Sequence, residues 1–296
     1  MNCHQSATKT SLHIASRRRK RRHIRATVMG VECAMVHYIL VHGMCHGAWC
    51  WYQLATLLRS AGHRVTVLDL AASGINPKRL VELRRFADYS EPLMEAMASI
   101  PSDEKVVLVG HSLGGFNLAL AMEKFPEKIT VAVFASAWMP SISTPMSVFM
   151  HEYSRRNPPG PMDSKIIVNE DPENPFTSFL FGPKYMATTM YQLSPPEDLT
   201  LATLLGRPGR QFLDEITSED MITEKNYGSV SRVFIVSKED RSLMADFQYW
   251  MTERSPGVVV KEIEGADHMV MLSKPKELCS LLPEIAKNIE FYVHMA

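Results

Sequence analysis

Short, continuous apolar runs recur along the chain, and most are followed by a segment in which apolar residues have helical spacing. The runs are VHYILV (36–41), VTVLDL (65–70), VVLVG (106–110), TVAVFASA (130–137), SRVFIVS (231–237) and VVVKEIEG (258–265). The helices predicted between and after them cover residues 48–61, 80–99, 113–124, 242–254 and 275–292. Strands without polar alternation are buried on both faces, as in parallel sheets covered by crossover helices. The pattern predicts an α/β fold with a mostly parallel sheet and helices on both faces.

The alternation lapses between residues 140 and 227. This segment is rich in proline, methionine and aromatic residues, as in PPGPM, ENPFTSFLFGPKYM and QLSPPEDL, and it shows short helical pieces but no clear strand. The βα rhythm then resumes, so the segment interrupts one domain and does not start another. We therefore predict a single domain over residues 35–296, with a helical lid inserted at about 140–227.

The first 34 residues form a basic leader. They contain no acidic residue before Glu32 and eight of the 32 basic ones, so residues 32–296 hold 24 basic residues against 32 acidic ones. An acidic globular part argues against nucleic acid as the main partner. The leader is predicted to be disordered, since like charges repel and no apolar face can be buried. A transit peptide, a nuclear address in RRRKRR and a tail without an address stay open. Cytoplasm is the predicted location, with chloroplast or nucleus as alternatives.

Several classes of protein lack their sequence signals here. No apolar run reaches the roughly 18 residues that a membrane-spanning helix needs. The five cysteines are scattered, without the spacing of a metal site or a disulfide framework. No glycine-rich nucleotide motif follows a strand. We therefore expect no metal, no cofactor and no membrane span.

The clearest chemical signal is Ser112, which lies in Gly110-His111-Ser112-Leu113-Gly114 between a predicted strand and a predicted helix. A serine on a sharp strand-to-helix turn needs neighbours without side chains, and it then presents its hydroxyl at the carboxyl edge of the sheet. A glycine-rich turn with an incidental serine is the alternative. The context favours Ser112 as a nucleophile.

A serine hydroxyl needs a base and a group that orients the base. In the α/β-hydrolase arrangement the acid follows a later strand and the histidine comes last. Asp240 directly follows SRVFIVS, and His268 follows VVVKEIEG. Glu239 and Asp267 are their neighbours and are expected to point elsewhere. These positions predict a triad of Ser112, His268 and Asp240.

Two backbone N–H groups are predicted to bind the oxyanion of the tetrahedral intermediate. One belongs to Leu113, and the other to Met44 in HGMCHG, the loop after VHYILV. His42 and His46 in that loop are interpreted as braces for it, since a triad has room for one base. The lid composition suggests an apolar pocket for a small aromatic or aliphatic acyl group. Trp138 and His111 are candidate lining residues, with core packing as the alternative.

Several longer stretches resemble a known family. They are HGMCHGAWCWYQL, VTVLDLAASGI, VVLVGHSLGG, LAMEKFPEKI, FGPKYMA, YQLSPPEDL and GADHMVML. Together they resemble the plant methylesterases, which are salicylic acid-binding-protein-like α/β-hydrolases related to hydroxynitrile lyases, from about Met35 to the C-terminus. The resemblance implies hydrolysis of small methyl esters, with methyl salicylate, methyl jasmonate and methyl indole-3-acetate as usual substrates. It also implies the triad and oxyanion donors named above. The partner is then a small-molecule ester, with a homodimer left open.

The chain departs from the family at Met44, where a small residue is usual and where the longer side chain is expected to affect the pocket. The related lyases carry threonine at the position of Gly43 and lysine at that of Met269. Without those side chains the lyase alternative loses the groups that would steady a leaving cyanide. The other alternative is a binding protein for the free acid.

Overall fold

The central feature of the computed structural model is a six-stranded parallel sheet in the order β2-β1-β3-β4-β8-β9. The model describes residues 35–156, 162–170 and 172–293. The strands of this sheet are β1 His37–Val41, β2 Arg64–Leu68, β3 Val106–Ser112, β4 Ile129–Ala137, β8 Arg232–Ser237 and β9 Val258–Ile263. All five neighbouring pairs run parallel, so their carboxyl ends lie at one edge of the sheet.

Helices connect and cover these strands. They are α1 Tyr52–Ser60, α2 Phe86–Ser99, α3 Gly114–Lys124, α4 Met146–Arg156, α5 Pro183–Tyr185, α6 Pro196–Leu205, α7 Leu213–Ile216, α8 Ala245–Thr252, α9 Val270–Ser273 and α10 Pro275–Val293. Shorter 3₁₀ turns lie at Ala48–Trp51, Leu80–Glu82, Pro126–Lys128, Glu219–Met221 and Tyr227–Ser229, and a π turn at Met186–Met190. Helices α1 and α2 therefore begin later in the chain than predicted, because residues 48–51 and 80–82 form 3₁₀ turns. The prediction of an α/β-hydrolase fold is confirmed.

The sheet has a core on each face, because successive residues of a strand point to opposite sides. In β1, Ile39 packs into one cluster, while Tyr38 and Leu40 pack into the other. In β3, Leu108 joins the first cluster and Val109 the second. Both faces are thus buried, which explains why these strands have continuous apolar runs and no polar alternation.

The segment from residue 140 to residue 227, called the lid below, contains strands that the sequence analysis did not predict. Besides helices α4 to α7 it contains a second, antiparallel sheet of three strands: β5 Lys165–Asn169, β6 Phe176–Leu180 and β7 Gly209–Arg210. The sequence was expected to hold no clear strand here. Strand β5 has no buried face, with Ile166 at 61% and Val168 at 64% exposure. The burial pattern that marks the central strands is therefore missing.

Residues 35–296 form one compact unit. The leader, with its predicted disorder, lies outside the described residues. Within the part of the chain that the structure describes, no helix is long and apolar enough to span a bilayer.

Candidate active site

Ser112 ends strand β3 and has a backbone φ of 53°, in the left-handed region that non-glycine residues seldom adopt. Its neighbours have no room for side chains. A Cβ on Gly114 would lie 2.7 Å from the carbonyl oxygen of His42, and one on Gly110 would lie 2.7 Å from a methyl carbon of Leu118. The glycines therefore permit a sharp turn that leaves Ser112 partly exposed at the carboxyl edge of the sheet.

Asp240 and His268 meet at the same edge, after β8 and β9. His268 Nδ1 lies 2.8 Å from Asp240 Oδ2, and both side chains are buried. Because the carboxylate oxygen accepts, Nδ1 carries the proton, and Nε2 is the ring nitrogen left to act as a base. The fold thus brings together these two of the three predicted triad residues by a direct hydrogen bond.

Asp240 is held by three further donors. Its Oδ1 accepts the backbone N–H groups of Ser242 and Leu243, each at 2.8 Å, and its Oδ2 accepts Gln248 Nε2 at 3.1 Å. Gln248 is fully buried on α8 and also donates to the carbonyl of Leu243. Such bonds stabilise a carboxylate and fix its plane. Sequence reasoning missed Gln248, since a glutamine within a helix has no local signal of this role.

His111 lies beneath the site. It is fully buried, its Nε2–H donates to the backbone carbonyl of His268 at 2.8 Å, and the two rings are 4.6 Å apart. Burial holds the pKa of His111 well below its ordinary value. No direct hydrogen bond joins Ser112 to His268 among the described residues. Trp138 is partly buried and stacks on Phe116.

The loop 42–47 after β1 approaches Ser112 closely. A Cβ on Gly43 would lie 2.7 Å from the Cβ and 3.2 Å from the Oγ of Ser112. Met44 and Leu113 are 8% and 7% exposed, and neither backbone N–H donates to another described residue. Two such donors beside Ser112 suit a developing negative charge.

The two loop histidines are braces, as predicted. His42 Nδ1–H donates to the carbonyl of Gly43 at 2.7 Å, and its Nε2 accepts the N–H of Leu70 at 3.1 Å. His46 Nδ1–H donates to the carbonyl of Met44 at 2.8 Å, and its Nε2 accepts the hydroxyl of Tyr191 at 2.6 Å. Burial lowers the pKa of both, that of His46 to about 4. Both rings are therefore neutral at pH 7.

The two acidic neighbours of the proposed triad, Asp267 and Glu239, and the side chain of Met44 make other contacts or face solvent. Asp267 is buried and accepts from the N–H groups of Leu193 and Met269, whereas the imidazole Nδ1 of His268 pairs with Asp240. Glu239 is exposed. The side chain of Met44 packs on Gly209 of the lid, where a Cβ would meet its Cγ at 2.5 Å.

A cavity of about 200 Å³ lies beside the loop 42–47, lined by Cys45 and His46 and by the lid residues Phe181 and Met186 among others. Neither Trp138 nor His111 lines it, and their pocket role stays a prediction. No group of three or more histidine, cysteine, aspartate and glutamate side chains suited to a metal ion occurs in the described ranges.

Comparisons with known proteins show the family of the chain. Residues 38–281 match the model of the alpha/beta hydrolase family. The chain is 51% identical to methyl jasmonate esterase 1 of Vitis vinifera over 253 residues, which cover 85% of this chain and 97% of that protein. It is 49% identical to salicylic acid-binding protein 2 of Nicotiana tabacum over 251 residues, covering 84% and 96%. The crystal structure of polyneuridine aldehyde esterase, known from Rauvolfia serpentina, superimposes with a TM-score of 0.81 at 50% identity, covering 85% and 99%.

Proposed function

Because the chain belongs to the alpha/beta hydrolase family, we propose that it hydrolyses small carboxylic methyl esters with Ser112 as the nucleophile. Its relatives of about 50% identity include plant esterases, and the chain is a carboxylic ester hydrolase. The observation that carries the triad is the buried pair of Asp240 and His268 at the sheet edge where Ser112 emerges.

The chemistry follows from the positions of these groups. Ser112 Oγ attacks the ester carbonyl while His268 Nε2 takes its proton, and Asp240 stabilises the imidazolium through Nδ1. The N–H groups of Met44 and Leu113 bind the oxyanion. The tetrahedral intermediate then collapses, methanol leaves with the proton from His268, and Ser112 remains acylated. Water repeats the sequence and releases the free acid and the serine.

The acyl group is proposed from the relatives and from the lid. The names of methyl jasmonate esterase 1 and salicylic acid-binding protein 2 make methyl jasmonate and methyl salicylate candidate substrates. Methyl indole-3-acetate is a third candidate, from the resemblance to the plant methylesterases. Met44 adds apolar surface next to the oxyanion donors. Its packing on Gly209 of the lid makes the lid a determinant of which acyl group fits.

The hydroxynitrile lyase alternative lacks support in the site. Gly43 lies so near Ser112 that any side chain there would press on the nucleophile. Met269 is fully buried and offers no cationic group. The remaining alternative is a binding protein for the free acid, which the name of the Nicotiana relative favours.

A panel of methyl esters separates the two functions. Methanol release is measured for each ester, and calorimetry measures binding of each free acid. The proposal expects turnover of at least one ester, with binding of its acid as product inhibition. Binding of an acid without turnover of any ester would make the chain a receptor.

The cellular setting is also proposed here. We infer a cytoplasmic enzyme that acts on a small-molecule ester and does not bind nucleic acid, with a homodimer left open. Fluorescent fusions with and without residues 1–34 test the compartment. Signal in plastids or nuclei only when the leader is present would contradict the cytoplasmic location.

A further inference from the structure

Four consecutive lid residues, Tyr191 to Ser194, hydrogen-bond to three of the loops that carry the proposed catalytic groups. This segment, called the strap, lies between the π turn Met186–Met190 and α6. It is the start of YQLSPPEDL, one of the stretches that the proposed mechanism leaves without a role. The strap touches none of the reacting atoms itself, so any part it has in catalysis is indirect.

The first contact is with the oxyanion loop. Tyr191 is 3% exposed, and its hydroxyl donates to His46 Nε2 at 2.6 Å. His46 in turn binds the backbone of Met44, because its Nδ1–H donates to the carbonyl of Met44. The two rings stack with centroids 5.9 Å apart, and Trp49 stacks on His46 at 5.3 Å. A tyrosine of the lid therefore fixes the orientation of Met44, the residue whose N–H is proposed to bind the oxyanion.

The second contact is with the histidine loop. Asp267 Oδ2 accepts the N–H of Leu193 and the hydroxyl of Ser194, each at 2.9 Å. Its Oδ1 accepts the N–H of Met269 at 3.0 Å. Asp267 thus spans His268, and because its carboxylate is fully buried and hydrogen-bonded, it links the strap rigidly to the backbone on both sides of the imidazole.

The third contact is with the acid loop. Gln192 Nε2 donates to the backbone carbonyl of Glu239 at 2.6 Å, directly before Asp240. Glu239 N–H in turn donates to the carbonyl of Ala266, which joins the acid loop to the histidine loop.

We propose that the strap is a positioning element of the lid, which sets the distance between the oxyanion donor Met44 and the pair of Asp240 and His268. Within it, Tyr191 is the positioning residue for the oxyanion loop, and Ser194 acts with Asp267 as the positioning pair for the histidine loop. This inference rests on the proposed function for its catalytic meaning, but the coupling of the strap to the loops can be measured without any substrate.

The kinetic test compares two tyrosines that both tie the lid to the rest of the domain. Tyr191→Phe removes the donor to His46. Tyr52→Phe is the control, since Tyr52 on α1 donates to Asp198 Oδ1 on α6 at 2.9 Å, a contact between residues that belong neither to the strap nor to the three loops. We expect Tyr191→Phe to lower kcat about tenfold to a hundredfold with KM within about twofold, because displaced catalytic groups lose rate and not substrate affinity. Tyr52→Phe should leave both constants within about twofold.

A second comparison concerns the histidine loop. Ser194→Ala removes one of the two donors to Asp267 Oδ2 and should lower kcat less than Tyr191→Phe, because Leu193 N–H keeps the link. Equal kcat for Tyr191→Phe and Tyr52→Phe at equal Tm would overturn the proposal. A rise in KM alone for Tyr191→Phe would also overturn it, since this would place Tyr191 in substrate binding.

Hydrogen exchange separates failure of the strap from failure of the proposed function. Without ligand, Tyr191→Phe should speed amide exchange in residues 42–47 while Tyr52→Phe leaves it unchanged. If the wild-type chain hydrolyses no ester, the proposed function fails and this experiment still decides on the strap. Unchanged exchange in 42–47 in the Tyr191 variant would refute the coupling.

Discussion

The carboxyl edge of the parallel sheet and the lid contribute in different ways. The sheet edge holds the groups proposed to react, with Ser112 at the end of β3, Asp240 after β8 and His268 after β9. Strands β3 and β8 are buried along most of their length, while the edge strand β9 is partly exposed. The lid supplies contacts that end on loops at this edge, such as Tyr191 on His46 in the loop after β1 and Leu193 on Asp267 in the loop after β9. In our proposal the strands set each group individually, while their mutual positions also depend on a segment inserted between β4 and β8. Substitutions in the two regions should therefore have different effects on activity: loss of a reacting group at the sheet edge, and displacement of such groups in the lid.

The largest expected effect is at the sheet edge. Ser112→Ala should lower kcat about 10³-fold or more, while the affinity for the free acid is kept, because only the nucleophile is lost.

Two other serines make this comparison sharper. Ser136, on β4, also has a positive φ of 45°, but its hydroxyl donates to Ser237. Ser178, in the lid strand β6, donates to the carbonyl of Ile167. Alanine at either position should cost about 1 kcal/mol of stability by loss of a hydrogen bond and leave kcat within about threefold. A fall in kcat in the Ser136 or Ser178 variant as large as in Ser112→Ala would contradict the assignment of Ser112 as the nucleophile and of the other two serines as structural residues.

His46 joins the two regions, and its protonation should weaken the fold. Burial lowers the pKa of His46 from 6.5 to about 4. Between these two pH values His46 is protonated in the unfolded chain but stays neutral in the folded chain. This contribution to stability is present above pH 6.5 and is lost as the pH falls toward 4, amounting to about 3 kcal/mol at the pH where His46 in the fold titrates.

Denaturant titrations between pH 6.5 and about 4 measure this effect. The free energy of unfolding should fall with pH in the wild-type protein and fall less steeply in His46→Gln. The remaining slope belongs to other groups, including His42 and His111, whose pKa values burial also lowers. Parallel slopes for the two proteins would mean that His46 is not kept neutral by the fold.

A matched pair of valines tests the structural side of the comparison. Val133 is fully buried in β4, whereas Val168 in the lid strand β5 is 64% exposed. Threonine has the same shape but brings a hydroxyl, so Val133→Thr should cost about 1–3 kcal/mol and Val168→Thr less than about 0.5 kcal/mol. Urea unfolding measures both. Similar losses at the two positions would show that β5 is buried in solution.

The smallest effect is expected from the leader. Deletion of residues 1–34 should leave Tm and kcat/KM unchanged within error, since a dense run of basic residues has no apolar face to bury. A fall of several degrees in Tm would show that the leader is part of the fold.

The contrast between the central sheet and the lid also explains which features could be predicted from the sequence. The six central strands and the order Ser112, Asp240, His268 are local signals. Burial on both faces gives the inner strands β1, β3, β4 and β8 unbroken apolar runs, the partly exposed edge strands β2 and β9 keep shorter apolar runs, and the loops follow the strands directly. Strand β5 was missed because it is exposed and depends on a partner from another part of the lid. Gln248 and Asp267 carry no local pattern for their roles, which come only from the loops that the fold brings to them.

The central claim is that Ser112 is the nucleophile of an esterase, and active-site labelling tests it most directly. The full chain is treated with a fluorophosphonate, hydrolysis of a methyl ester is followed in parallel, and the labelled peptide is identified by mass spectrometry. The account predicts one adduct per chain, on Ser112, formed in step with the loss of hydrolysis and absent from Ser112→Ala. An adduct on another residue that accompanies the loss of activity, or full labelling of Ser112 with hydrolysis retained, would contradict it.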